Sequence, residues 1–226
     1  GTLQTAGQAL ATGNVSLSGA SLDLSGSTNA TSVIGSTTGK LSLTARSGDI
    51  LTQHTQVSTP GLLTITANSA ADQTLDNTTG QISAAQLDIR TGQLDNTQGV
   101  IQQTGTGVQT ARIQTTGAFT NSGGAIIANA QDFTLSAGGQ LSNTDGQIGH
   151  AGAGTFTLNT GATDNTRGKI LGNATLAFNA TGDVNNTSGL VAAQSLSASA
   201  TGWDNTQGKL VSTQDNLSLH TRQNAV

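Results

Sequence analysis

The chain has 226 residues, a formal net charge of −4, no cysteine and an aromatic content of only 2%. Its eight basic residues are scattered singly, and few aromatic rings are present to stack on bases, so we expect no binding to nucleic acid. No apolar run approaches the roughly 18 residues of a membrane span, so we expect no membrane insertion by this segment. The absence of cysteine argues against a disulfide scaffold and against a thiolate metal site.

The first seventy residues contain a loose repeat of short strands in which apolar residues alternate with polar ones. Three such pairs recur at intervals near twenty residues: Leu22-x-Leu24, Leu41-x-Leu43 and Leu63-x-Ile65. Between the second and third pairs, Gly48-Asp49-Ile50 stands where later repeats carry a turn. Residues 1–70 therefore read as a looser form of the repeat that follows, within one body spanning 1–226.

Residues 71–226 carry seven copies of a phrase whose fullest form is Leu94-Asp95-Asn96-Thr97-Gln98-Gly99-Val100-Ile101. The pattern Asn-Thr-x-Gly predicts a turn, because Asn hydrogen-bonds to the neighbouring backbone and Gly takes positive φ without steric cost. We predict that the Asn residues stack in an interior turn column, as a structural ladder with the Gly residues that follow them. The predicted ladder is Asn77, Asn96, Asn121, Asn143, Asn165, Asn186 and Asn205, with Gly80, Gly99, Gly124, Gly146, Gly168, Gly189 and Gly208.

The apolar positions of each repeat indicate the fold. The first and last residues of the phrase, such as Leu94 and Ile101, are expected to point inward. So are the apolar residues of the strand between two phrases, such as Leu87 and Ile89. Strands this short, two or three in each repeat, are stable only when successive repeats stack in parallel. We predict an all-β protein, a right-handed parallel β-helix of about ten rungs of about 22 residues each. Disorder is the competing interpretation of so polar a chain, and both ends stop in mid-pattern, as expected of a piece of a longer protein.

Loop length varies at one place in the repeat. The gap from the last aliphatic residue of the phrase to the next alternating strand ranges from 5 to 10 residues. The gap from that strand to the next phrase is always 5 or 6. Such insertions map to one face of a repeat protein, which is often the binding face. A corner that merely tolerates variation in loop length gives the same pattern. The candidate binding residues on the two longest insertions are Gln102, Gln103, Thr104, Thr106, Gln109 and His150.

Catalytic and metal sites have little support in the sequence. Asp76 and Asp95 fall on neighbouring rungs and form the nearest approach to a catalytic carboxylate pair. The alternative is a row of solvent-exposed aspartates at the same position of successive repeats. His54, His150 and His220 lie on different rungs and are expected on the surface. Trp203 takes an inward position that Leu or Phe holds elsewhere. We expect no catalytic residues, no metal and no cofactor.

The phrase Leu-Asp-Asn-Thr-x-Gly followed by an alternating strand resembles the haemagglutinin-type repeats of filamentous haemagglutinins and contact-dependent growth inhibition exoproteins. Residues 133–148, Phe-Thr-Leu-Ser-Ala-Gly-Gly-Gln-Leu-Ser-Asn-Thr-Asp-Gly-Gln-Ile, carry the closest single copy. The resemblance covers residues 71–226 well and 1–70 loosely. It implies export through an outer-membrane two-partner secretion transporter, folding as a β-helix, and a place on the cell surface of a Gram-negative bacterium.

These observations predict a structural and adhesive rod segment of a large secreted surface protein. It would present or space a surface toward a receptor or glycan on a neighbouring bacterial or host cell. A carbohydrate-active β-helix enzyme, a polysaccharide lyase or hydrolase using Asp76 and Asp95, is the alternative. An inert spacer is the third possibility, and the sequence leaves the receptor unidentified.

Overall fold

The computed structural model describes residues 1–67 and 72–222, which form strands and turns and no helix. The strands in chain order are β1 (Leu3–Gln4), β2 (Gln8–Ala11), β3 (Val15–Gly19), β4 (Leu22–Asp23), β5 (Ser32–Ser36), β6 (Leu41–Ala45), β7 (Ile50–Leu51), β8 (Thr55–Ala67), β9 (Thr74–Asp76), β10 (Gln81–Thr91), β11 (Gln93–Asp95), β12 (Val100–Gly107), β13 (Ala111–Thr115), β14 (Phe119–Thr120), β15 (Ala125–Ala130), β16 (Phe133–Ala137), β17 (Leu141–Ser142), β18 (Gln147–His150), β19 (Thr155–Thr160), β20 (Thr163–Asp164), β21 (Lys169–Gly172), β22 (Thr175–Ala180), β23 (Val184–Asn185), β24 (Leu190–Ala193), β25 (Ser195–Ala200), β26 (Trp203–Asp204), β27 (Lys209–Ser212) and β28 (Leu217–Thr221).

These strands stack as three parallel ladders, which we call face 1, face 2 and face 3. Face 1 is a ten-stranded sheet of short strands in the order β1-β4-β7-β9-β11-β14-β17-β20-β23-β26. Face 2 runs β2-β5-β8-β10-β12-β15-β18-β21-β24-β27, and face 3 runs β3-β6-β8-β10-β13-β16-β19-β22-β25-β28. Strands β8 and β10 belong to both ladders because each bends round the corner between face 2 and face 3. One strand from each face makes a rung, so the chain is a parallel β-helix of ten rungs, and the predicted fold is confirmed.

The register of the ladders keeps equivalent repeat positions in columns. Leu94 pairs with Leu75 and Phe119, and Ile101 pairs with Ile82 and Ile126. Because each rung is hydrogen-bonded to the next at about 4.8 Å, nine steps make a rod roughly 45 Å long. The predicted boundary between the two repeat types, at residues 70 and 71, lies outside the described residues. Strands β7 and β8 pair directly with β9 and β10, so the rungs on its two sides stack without a break.

The core is a thin column of aliphatic and aromatic side chains, as the alternation predicted. All four phenylalanines are fully buried, and Phe133 stacks on Phe156 with ring centroids 4.9 Å apart. Trp203 is also buried and meets Phe178 edge-on at 5.4 Å, which confirms its inward position. At the last described rung the column is more open, and Leu217 and Leu219 are 48% and 38% exposed. Strand β28 belongs to the last described rung and pairs with β25 alone among the described strands.

Candidate interaction surface and its scaffold

An asparagine ladder closes the corner between face 1 and face 2. From Asn77 to Asn205, the Nδ2 of each ladder asparagine donates to the Oδ1 of the next at 2.6–2.8 Å. The same Nδ2 also lies 3.1–3.4 Å from the carbonyl oxygen of the glycine three residues on. Asn77 to Asn186 are fully buried, and Asn205 in the last described rung is half-buried. The amides therefore bond along the rod axis and tie each turn to the next rung.

The ladder glycines have a different role from the one expected. Positive φ falls one residue earlier, on Thr79, Gln98, Gly123, Asp145, Arg167, Ser188 and Gln207. At Gly99, by contrast, an added Cβ would clash with the carbonyl oxygen of Asn77 in the rung below, and Gly146 meets Asn121 in the same way. The expectation that these glycines supply positive φ is wrong. They are required because the backbones of successive turns touch at this point.

A buried threonine starts the ladder, and sequence reasoning missed it. Thr52 donates from its Oγ1 to Asn77 Oδ1 at 3.0 Å and is fully buried. The register pairs Ile50 with Leu75, so Thr52 stands where later rungs carry asparagine. His54 has φ 50° at the position where Thr79 has φ 57°. Residues 50–55 are thus an eighth, degenerate copy of the turn, and aligning Ile50 with Leu75 would have revealed it.

The insertions lie at the corner between face 2 and face 3. In rung five, strand β12 runs on to Gly107, and its pairing with β15 shifts register between Gln103 and Gly107. In rung seven, residues 151–154 join β18 to β19 at the same corner, whereas in rung six only residues 131–132 join β15 to β16. We call residues 104–110, 129–131 and 151–154 the variable corner.

Gln103 anchors the variable corner from inside, so the expectation that it lies on an exposed loop is wrong. Its side chain is buried at 1% exposure. Nε2 donates to the carbonyl oxygens of Ala85 and Gly105, both at 2.6 Å. Oε1 accepts from the backbone N–H groups of Asn129 and Ala130 at 2.8 and 2.7 Å. One amide thereby joins three rungs at the base of the longest insertion.

His150 is also buried, at 3% exposure, which overturns its expected place on the surface. Its Nε2 donates to the carbonyl oxygen of Ala130 at 2.8 Å. Its ring lies about 6 Å from the rings of Phe133 and Phe156. His150 therefore packs under the corner and not on its surface.

The remaining candidates lie on or near the surface of the variable corner. Thr104 and Thr106 are exposed, and Gln102 and Gln109 are half-buried. Val108, at the tip of the insertion, is 88% exposed. A cleft of about 320 Å³ crosses rungs five to seven, lined by Thr106, Gly107, Asn129, Gln131, Ala151, Gly152 and Ala153. The lining is uncharged and offers amide, hydroxyl and backbone groups to a ligand.

The aspartates on face 1 serve the turns. Asp76 and Asp95 are register partners, and the Oδ1 of each accepts the backbone N–H of the threonine two residues on, at 3.0 and 2.9 Å. Among the described residues neither carboxylate forms an ion pair, and no group of three potential metal ligands occurs. A larger open groove of about 480 Å³ runs along the same face beside Asp164, Asp183 and Asp204. The carboxylates of Asp164 and Asp204 are again hydrogen-bonded to their own turns.

Comparison with known proteins gives one informative match. The chain is 36% identical over 83 residues to "Toxin CdiA" of Yersinia pestis. The match agrees with the resemblance of the repeats to those of filamentous haemagglutinin-type proteins. The matched stretch is 37% of this chain and 2% of the relative, so only a small part of that protein is represented. No family model matches the chain, and no solved structure matches it. The stacked repeats form a rod-like segment. Within residues 1–67 and 72–222 no helix has the length and apolar character needed to cross a membrane.

Proposed function

We propose that this segment is a rod stretch of a secreted bacterial surface protein and that it presents the variable corner to a neighbouring cell. The resemblance of the repeats supports export of the whole protein through an outer-membrane two-partner secretion transporter. A chain without cysteine suits export in an unfolded state, and rung-by-rung stacking suits folding that propagates from one end.

The anchoring of the variable corner is the observation that supports a contact role. The buried amide of Gln103 fixes this corner to three rungs. A corner that only tolerates variation in loop length would not need such an anchor. A rigid loop loses less conformational entropy on binding than a mobile one. The side chain of Val108 at the tip is exposed, and its burial by a partner would be favourable.

The proposal is tested by measuring binding of the purified chain to intact Gram-negative cells. We expect saturable binding that the double variant Thr106→Asp/Val108→Asp weakens by about tenfold or more, which corresponds to roughly 1.4 kcal/mol. Thr134→Asp/Ser136→Asp, which adds the same two charges on the outward side of β16, is the matched control. The control should bind like the wild type.

Two results would contradict this function. If the wild-type chain shows no saturable binding to any cell surface, the segment is a spacer. If both double variants bind as tightly as the wild type, contact is made elsewhere on the rod. Thermal unfolding of all three proteins separates either result from a folding defect, because every substituted side chain is at least partly exposed.

A further inference from the structure

Face 2 and face 3 differ in their outward-pointing side chains between rungs six and ten. On face 3 these positions are mostly hydroxyls and amides, such as Thr134, Thr157, Asn159 and Ser199. On face 2, one outward column reads Ile127, Gly149, Leu171, Ala192, Val211 in register. Its aliphatic members are partly exposed, whereas Ile126, Ile170 and Val191 on the same strands are buried.

The second outward column of face 2 adds positive charge. Lys169, Leu190 and Lys209 are register partners, and both lysines are exposed. Strands β15, β18, β21, β24 and β27 contain no carboxylate, although the chain as a whole carries −4. Among the described residues neither lysine forms an ion pair. Nearby, Asp145 and Arg167 neutralise each other at the turn, with nitrogen and oxygen 2.7 Å apart.

We propose that this surface, the face-2 patch of Ile127, Lys169, Leu171, Leu190, Ala192, Lys209 and Val211, binds an acidic protein that presents aliphatic side chains. The outward positions of face 3 show that polar side chains suit this fold. Neighbouring aliphatic side chains in the outward positions of face 2 therefore indicate an interaction surface. The two lysines select for carboxylates, because charge complementarity sets partner choice and the speed of encounter. A groove of about 240 Å³ beside Leu171 and Ala192 has room for an aliphatic side chain of the partner.

A protein partner fits the face-2 patch better than a lipid surface does. Anionic membranes are bound by clusters of about 4–8 basic residues, and this surface has two. Interfacial anchoring also draws on exposed tryptophan, phenylalanine and leucine. All five tryptophan and phenylalanine side chains of this chain are buried, and Leu171 and Leu190 are only partly exposed. The patch extends over four rung spacings, about 19 Å, which is the size of a weak and reversible contact.

The test uses the three lysines of the chain, Lys40, Lys169 and Lys209, as reporters. The probe is a synthetic peptide of alternating leucine and aspartate, joined to nearby lysines by a carbodiimide and mapped by mass spectrometry. We expect Lys169 and Lys209 to be cross-linked at least about threefold more than the exposed Lys40, which lies outside the face-2 patch. Leu171→Asp should remove that excess. Ala177→Asp, which adds the same charge on face 3 of the same rung, should keep it.

Three results would overturn the proposal. Equal labelling of the three lysines would show that the face-2 patch does not select the acidic peptide. Equal loss in Leu171→Asp and Ala177→Asp would show an effect of net charge alone. Sedimentation of the chain with phosphatidylglycerol vesicles, abolished by Leu171→Asp but not by Ala177→Asp, would assign the surface to a membrane instead. The variable corner takes no part in this experiment, so its outcome is independent of the cell-binding test.

Discussion

At the scale of single residues, the amide side chains govern the stability of this rod. Asn143 accepts from Asn121 at 2.8 Å and donates to Asn165 at 2.7 Å, all three fully buried. We predict that Asn143→Leu lowers the free energy of unfolding by roughly 1–3 kcal/mol for each polar partner left unsatisfied. Urea unfolding measures this loss. Thr144→Ala, on the next, partly exposed residue, is the control and should remain within about 0.5 kcal/mol of the wild type. Equal midpoints for the two variants would contradict a buried ladder.

Gln103 gives a second prediction at this scale. Gln103→Ala leaves the carbonyl of Ala85 and two backbone N–H groups of rung six without their partner. We expect a loss on the order of 2–4 kcal/mol, together with faster proteolysis between residues 104 and 110. Gln102→Ala, on the outward side of the same strand, should change neither property. A neutral Gln103→Ala would show that the insertion is held by its own backbone.

The sequence predicted the two kinds of buried amide unequally. The asparagines recur at fixed places beside aliphatic residues, so their common burial follows from the repeat. Gln103 occurs once, in a run of polar residues. Its inward direction depends on the register shift between β12 and β15, which no local pattern encodes.

At the scale of the turn, aspartate side chains make stability depend on pH. Hydrogen bonds from the Oγ1 and N–H of Thr206 lower the pKa of Asp204 below its ordinary value of 3.8. Because the folded-state pKa is depressed, this bond stabilises the fold above the ordinary carboxyl pKa. Its contribution is lost as pH falls through the lower folded value. The chemical shift of the Thr206 amide should therefore titrate at acidic pH.

Asp204→Asn is the informative variant for this prediction. Asn185 already accepts the N–H of Thr187 at 3.0 Å through an amide oxygen, so asparagine can close the same turn without titrating. We expect a flat Thr206 amide shift in the variant, and a smaller drop in melting temperature between about pH 7 and about pH 2. An unchanged titration of Thr206 would show that another group reports there.

The turn also shows what a sequence pattern can and cannot specify. The repeated Asn-Thr-x-Gly indicates a turn of fixed geometry, but turn propensity alone assigns the positive φ to glycine. The structure assigns it to the preceding residue, because contact between stacked backbones excludes a Cβ at Gly99 and its equivalents. That contact exists only between rungs, so one repeat read alone cannot reveal it.

At the scale of the whole molecule, the sequence repeat predicts the architecture well but predicts the surfaces only in part. Equivalent apolar residues recur about every 22 residues, and only a parallel stack of rungs buries all of them. The place of the insertions followed from loop lengths. The cleft and the aliphatic column of face 2 did not, because both depend on which residues of successive rungs become neighbours.

Hydrogen exchange tests the central claim, that the rod presents its variable corner to another cell. The chain is compared free and bound to outer-membrane vesicles from cells that it recognises. We predict new protection at residues 104–110, 129–131 and 151–154, with little change in the core strands, which are already protected. Protection confined to face 1, or spread evenly along the rod, would contradict the claim.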